Sequence, residues 1–171
     1  MGDPSPPGIL VLEDGSIHRG ISVGAPGERA CELVFQTAMT GYQEILTDPS
    51  YCGQGVVMTY PQIGNYGANE EDDESGRAWV EAFLMHQMAL RPSNWRATCS
   101  LGDYLKEHGV VALEGLDTRA LTLKLRAKGA LRGVVSTESF DEAELVRRAR
   151  KHPSLQGRDL VERVTCKEPY A

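Results

Sequence analysis

The sequence predicts an α/β fold carrying an added antiparallel layer. Three observations support this: an apolar hairpin pattern near the start, an order in which strands come first and then alternate with helices, and a polar residue of capping type at the start of each of those helices.

Ile9–Leu12 and Ser16–Val23 read as strands around Asp14-Gly15, a type I′ turn signal, and "CELVFQT" from Cys31 reads as a third strand. "GQGVVMTYP" is a short apolar run stopped by Pro61, consistent with a buried strand. "AWVEAFLMHQMAL" has apolar residues on every face, and periodicity leaves strand and helix both open. Ser100 with Asp103 forms a capping box for a helix ending at Gly109, and "VVAL" is then a strand. Asp117 caps "TRALTLKLRAK", with Gly129 at its C-terminal end, and "LRGVVS" is a strand. Ser139 with Glu142 is expected to open the last helix. Three regions result: a flexible leader 1–8, a domain 9–153 and a linker 154–171.

At 171 residues the chain is long enough for one real core. Its four cysteines, Cys31, Cys52, Cys99 and Cys166, form no C-x-x-C pair, so a reduced, cytoplasmic protein is expected. No apolar run approaches the 18 or so residues of a spanning helix, and the start has no basic region, so no membrane partner is expected. The net charge of −6 disfavours nucleic acid. The one basic cluster, Arg147 to His152, reads as a solvated helix face, while "NEEDDES" from Asn69 is a local acidic cluster.

Chemistry is sparse. The four histidines, His18, His86, His108 and His152, have no metal-ligand spacing, and the glycines of "QIGNYGAN" lack a P-loop frame, so no metal or phosphate site is expected. Cys52 is the one cysteine in a suggestive loop. A hydrolase built on it with His18 or His86 would need a base beside the thiol, and no cysteine here sits in a Gly-x-Cys-x-Gly elbow. The unusual feature is Thr37–Gly67, rich in glycine, proline and tyrosine. Its polar candidates are Glu44, Asp48 and Ser50, for which local turn chemistry is the simplest account.

Three blocks, "CELVFQTAMTGYQEILTDPSYCGQ…YPQIGNYGAN", "LVLEDGSIHRG" and "GLDTRALTLKLRAKGALRGVVS", together with "LVERVTCKEPY", resemble the N-terminal domain of the small, glutamine-handling subunit of carbamoyl-phosphate synthase. The family usually has Gly at Cys31, Asn at Gln36 and His at Gln62. The resemblance implies a three-layer β/β/α domain of the swivelling type, with a mixed sheet plus antiparallel strands. It implies partnership with a C-terminal glutaminase domain of its own and with a large subunit. In that holoenzyme, ATP and Mg2+ act on the large subunit, which makes carbamoyl phosphate for pyrimidine or arginine synthesis, and this domain holds no cofactor. It further implies that Ser50 contacts glutamine, and that this chain, which stops before the glutaminase triad, is inactive alone. A scaffold domain without ligand contact is the alternative.

Overall fold

The computed structural model describes residues 6–166. Strand β1 (Pro7–Leu12) opens inside the stretch 1–8 assigned to a leader, of which residues 1–5 lie outside the described ones, as do 167–171 of the linker. The hairpin to β2 (Ile17–Ser22) is present with a different turn. Gly15 N donates to Leu12 O at 2.9 Å, Gly15 has φ 90°, and no other residue type has positive φ among the described residues. Asp14 therefore cannot occupy a type I′ position; the connection is a type I turn followed by a left-handed glycine.

Next come β3 (Glu28–Gln36), helix α1 (Tyr42–Thr47), a single 3-10 turn (Pro49–Tyr51) and β4 (Gln54–Met58). The ambiguous apolar stretch contains β6 (Ala82–Leu84), and a minor two-stranded pair joins β5 (Gln62–Ile63) to β7 (Gln87–Met88). Helix α2 (Leu101–Glu107), β8 (Val111–Glu114), α3 (Thr118–Lys128), β9 (Leu131–Ser136) and α4 (Glu142–Lys151) then alternate as the sequence predicts, before a short α5 (Val161–Val164). Ser100 and Asp117 are the caps of α2 and α3. The cap of α4 is Asp141, which accepts from Glu144 N at 3.0 Å; Ser139 instead donates its own N–H to Ser136 Oγ at 2.9 Å. Asp141-x-x-Glu144 is an equally good capping box two residues later, and it prevails.

The mixed α/β class is borne out. The arrangement differs from three separate layers, because the ladders close into one ring in the order β1-β2-β8-β6-β4-β3-β9. β9 is paired along both edges, antiparallel to β1 and to β3, and so joins the antiparallel hairpin to the parallel run β3-β4-β6-β8. Side chains alternate across this wall. Leu10, Leu12, Cys31, Leu33, Val57, Leu84, Leu113 and Val135 point inward to one cluster. Val56, Met58, Phe83 and Ala112 face outward beneath α1 and α2, and Ile9, Val11 and Val134 face outward beneath Leu145 and Ala149 of α4. β4, β6 and β8 are thus covered on both sides, which is why their sequences are apolar without alternation.

Leu121 and Leu125 of α3 belong to the interior cluster, so α3 lies across one mouth of the ring. The sequence departure at Cys31 is accommodated there: its thiol faces Gly55, where an added Cβ would lie 2.7 Å from the sulfur. The basic residues near the end of α4 are largely engaged by the chain itself. Arg147 pairs with Glu144, Arg148 with Glu28, and Arg150 Nε donates to Glu13 O at 2.8 Å.

Two outcomes test this packing. Leu121→Ala should lower unfolding stability by about 2–5 kcal/mol through an interior cavity, whereas Leu123→Ala, on the exposed side of α3, should change it by less than about 0.5 kcal/mol. Equal effects in chemical denaturation would contradict the placement of α3. The second concerns the β1–β9 seam, where hydrogen bonding from Arg132 holds the Glu13 carboxyl below its ordinary value of 4.5. A depressed folded-state pKa stabilises above the unfolded value and loses that contribution as pH falls through the folded one. The stability advantage of the native chain over Glu13→Gln should therefore be full above pH 4.5 and be lost as pH falls through the lowered pKa of Glu13; an advantage independent of pH would refute the ion pair.

Candidate functional site

Thr37–Gly67 begins where β3 ends and passes over the outer face of the ring before entering β4. Helix α1 is only six residues long and its cap, Gly41, has no side chain to bond the exposed amides. Tyr66 substitutes: its hydroxyl accepts from Gly41 N at 2.5 Å and Tyr42 N at 3.1 Å, satisfying donors that a helix start leaves open. The Tyr42 ring stacks on Tyr66 at 4.2 Å, and its hydroxyl donates to Gly67 O at 2.6 Å. Burial raises the pKa of both phenols, so Tyr42 keeps the proton that its bond to Gly67 O requires.

The far side of α1 carries two fully buried polar residues, Gln43 and Thr47. Gln43 Oε1 accepts from Asn69 N at 3.0 Å, while its Nε2 donates to Asn69 O and to Asp73 Oδ1, the latter at 2.6 Å. Thr47 Oγ1 accepts from Glu74 N at 2.9 Å, and Ser75 Oγ donates to Thr47 O at 2.7 Å. Trp79 Nε1 donates to Ser75 Oγ at 2.7 Å beneath the Arg77 guanidinium, 3.6 Å from the indole ring. The acidic cluster is therefore bound down as a strap through its backbone and through Asp72 and Asp73, while Glu70, Glu71 and Glu74 remain exposed. Asp73 also accepts from Tyr104 Oη at 2.6 Å, and Arg96 bonds Glu71 and Asp72, each at 2.9 Å. Hydrogen bonding from Asn69, then from Arg96, lowers the Asp72 pKa. Thr47, which the sequence suggests as a side chain bonding local backbone, donates to Gln43 O at 2.9 Å; Gln43 has no such signal beyond its i,i+4 spacing from Thr47 on one helix face.

Ser50 sits at the centre of the 3-10 turn and is exposed. Asp48 Oδ1 accepts its backbone N–H at 2.8 Å, and Cys52 N donates to Pro49 O at 3.1 Å. The amide of Ser50 is thus committed to its own turn, while its hydroxyl makes no hydrogen bond among the described residues. Behind it, the Tyr51 ring packs with Val34 and Ala38 on the outer cluster, and the Tyr51 hydroxyl accepts from Gln36 Nε2 at 2.9 Å. Gln36 Oε1 accepts from Thr37 N at 2.7 Å and Ala38 N at 3.1 Å, which fixes the amide's orientation. On the other flank, Leu155 meets Gly53, whose φ is 84°, and Glu32 Oε1 accepts from Leu155 N at 2.7 Å. Glu44 lies in the first turn of α1 with Oε2 buried and without a hydrogen-bond partner among the described residues.

The remaining candidates are not brought together. Cys52 is buried just before β4, and His86 follows β6, which runs parallel to β4; the two lie at opposite ends of the ring. His18 is on β2 near the same mouth as α3, and β2 is separated from β4 by β8 and β6. His86 Nδ1 bonds Leu116 O at 3.0 Å, within a cleft of about 560 Å³ between Thr59, Pro61 and α3 that does not include Ser50. No group of three or more metal-ligating side chains occurs among the described residues. Gln62 is exposed in β5. The arrangement offers an exposed serine on a turn held from both flanks.

A model of the family described as "Carbamoyl-phosphate synthase small chain, CPSase domain" matches residues 10–135. The carbamoyl phosphate synthase small chain of Nitratidesulfovibrio vulgaris strain Hildenborough is 57% identical over 162 residues, covering 95% of this chain and 43% of that protein. The small chains of Thermotoga maritima and Aquifex aeolicus are 57% and 56% identical, covering 94% and 95% of this chain and 41% and 44% of theirs. The chain thus spans about two fifths of the length of these relatives. Among solved structures, an aminopeptidase from Aneurinibacillus sp. strain AM-1 gives a TM-score of 0.47 at 16% identity, over 77% of this chain and 31% of that one, a likeness that carries no argument.

The separation of Cys52 from His18 and His86 makes a prediction for thiol reactivity. In the native chain iodoacetamide should label the exposed Cys166 first. Cys31, whose thiol is pushed up to about 12 by burial and then by Glu81, and the buried Cys52 should react only on unfolding. Faster labelling of Cys52 than of Cys166 would restore the nucleophile reading.

Proposed function

The chain belongs to the carbamoyl-phosphate synthase small chain family, and on that premise we propose that it is the N-terminal domain of a glutamine-dependent carbamoyl-phosphate synthase, contributing a substrate contact and an assembly surface. The synthase makes carbamoyl phosphate from glutamine, bicarbonate and ATP in the cytoplasm. Glutamine is hydrolysed by a C-terminal domain of the same small chain, and ATP with Mg2+ is used by the large partner, so this domain needs no cofactor. The ring and its outer helices stand for the three-layer swivelling-type domain of that family.

Ser50 is the residue assigned to glutamine. The observation that carries this is its committed amide and uncommitted, exposed hydroxyl on a turn braced from both flanks. Such a group presents one donor and acceptor in a fixed position to a ligand held mainly by a neighbouring domain. The polar character of Thr37–Gly67 then has two origins: most of its side chains satisfy the short helix and the strap, and the remainder faces the shared site.

In the complete small chain assembled with its large partner, Ser50→Ala should raise the glutamine requirement. Loss of one hydrogen bond to a charged group of the substrate corresponds to about 1.5–3 kcal/mol, or roughly 10- to 150-fold. Synthesis driven by free ammonia should stay near normal, because it bypasses the glutamine site. Equal losses with both nitrogen sources would assign Ser50 to the fold or an interface. Unchanged kinetics with both would leave the domain a scaffold without ligand contact.

A further inference from the structure

Of the contacts that brace the turn presenting Ser50, the hydrogen bond between Gln36 and Tyr51 is the one made by the side chain directly after Ser50. We propose that this pair is the positioning device of the Ser50 hydroxyl, an inference that rests on the assignment of Ser50 to glutamine.

The geometry is over-determined at one end and single at the other. Gln36 Oε1 receives two backbone amides, Thr37 N and Ala38 N, so its Nε2 has to face Tyr51 and its orientation cannot invert. A donor from Gln36 obliges the Tyr51 oxygen to accept, 2.9 Å away. The Tyr51 ring is half-buried against the outer cluster with Val34, so the hydroxyl is the lever end of a rigid side chain whose other end is the residue directly after Ser50. The backbone bonds of the 3-10 turn, Tyr51 N to Asp48 O at 3.1 Å and Cys52 N to Pro49 O at 3.1 Å, keep the turn's shape. Beyond the turn, Glu32 N donates to Gly53 O at 3.3 Å and ties its exit to β3. On the side-chain level the tie to the end of β3 is the Tyr51 hydroxyl on Gln36. Neither Gln36 nor Tyr51 needs to touch the substrate for this effect. Their contribution is to hold a short side chain within the few tenths of an ångström over which a hydrogen bond keeps its strength.

The test uses the complete small chain assembled with its large partner, measuring glutamine-driven and ammonia-driven synthesis. Tyr51→Phe removes the acceptor while keeping the ring and its packing and is the cleaner variant; Gln36→Met removes the donor together with the Oε1 that receives Thr37 N and Ala38 N. Each should raise KM for glutamine roughly 3- to 10-fold, the range for one neutral hydrogen bond, with kcat and the ammonia-driven rate little changed. Gln36→Asn, which keeps an amide, should recover most of the loss. The decisive readout is coupling: in a Ser50→Ala background, Tyr51→Phe should add nothing, because there is no hydroxyl left to position.

Other outcomes overturn the proposal. If Ser50→Ala raises KM and Tyr51→Phe does not, the clamp is wrong and the Ser50 assignment stands. If Ser50→Ala is without effect, the assignment fails and takes the clamp with it. A full Tyr51→Phe effect persisting in the Ser50→Ala background would mean that Tyr51 acts on the site by itself. Loss with both nitrogen sources would mean a structural role for the pair.

Discussion

A strand edge buried in a domain must find a partner for every amide and carbonyl it presents, and here that requirement is met by closing seven strands on one another. Closure dictates where the helices can go. A parallel run β3-β4-β6-β8 needs crossovers that pass outside the ring, and these crossovers place α1 and α2 together over one side. The hairpin β1-β2 and the last strand β9 complete the circle with antiparallel ladders, leaving α4 to cover the opposite side. With the interior filled by leucine, valine and cysteine side chains and one mouth crossed by α3, the ring is a core and not a container.

The first of those crossovers draws on side chains from elsewhere in the chain because its helix is too short to satisfy itself. Six residues leave most helical amides and carbonyls without an internal partner, and side chains take their place: the Tyr66 hydroxyl at one end, Ser75 at the other. Gln43 then joins α1 to the acidic strap through three hydrogen bonds from one buried amide, a network in which each polar atom is satisfied. The same economy of partners leaves few groups free. Around the 3-10 turn the Ser50 hydroxyl is one of them, and Glu44 Oε2 beside α1 is another.

What was legible in the sequence was local. Ser100, Asp117 and Gly129 mark helix ends because a cap is decided by four or five neighbouring residues, and the strands β8 and β9 between those helices are then found by exclusion. Asp141 rather than Ser139 as the cap of α4 shows the limit of that reasoning, since two overlapping boxes were available and the hydroxyl of Ser136 took the Ser139 amide. Helix α1 was illegible because its cap is a glycine bonded by a tyrosine 25 residues away. β6 could not be told from a helix because both of its faces are buried. The closed ring depends on β9 pairing at both edges, which no window of sequence encodes. Ser50 was legible only through resemblance: its residue type suits any turn, and what sets it apart is the commitment of its amide and not of its hydroxyl.

The strap over α1 also makes the molecule its own spectroscopic gauge. The chain has two tryptophans, and they occupy contrasting surroundings: Trp95 is 91% exposed, whereas Trp79 is half-covered, stacked under Arg77 and hydrogen-bonded to Ser75. Ser75 in turn bonds the carbonyl of Thr47, the residue immediately before Asp48, whose carboxylate holds the Ser50 amide. The indole of Trp79 is therefore wired to the 3-10 turn through two hydrogen bonds and one peptide unit. Its emission colour and quenching would follow strain in that chain of contacts, with Trp95 contributing a constant solvent-exposed background.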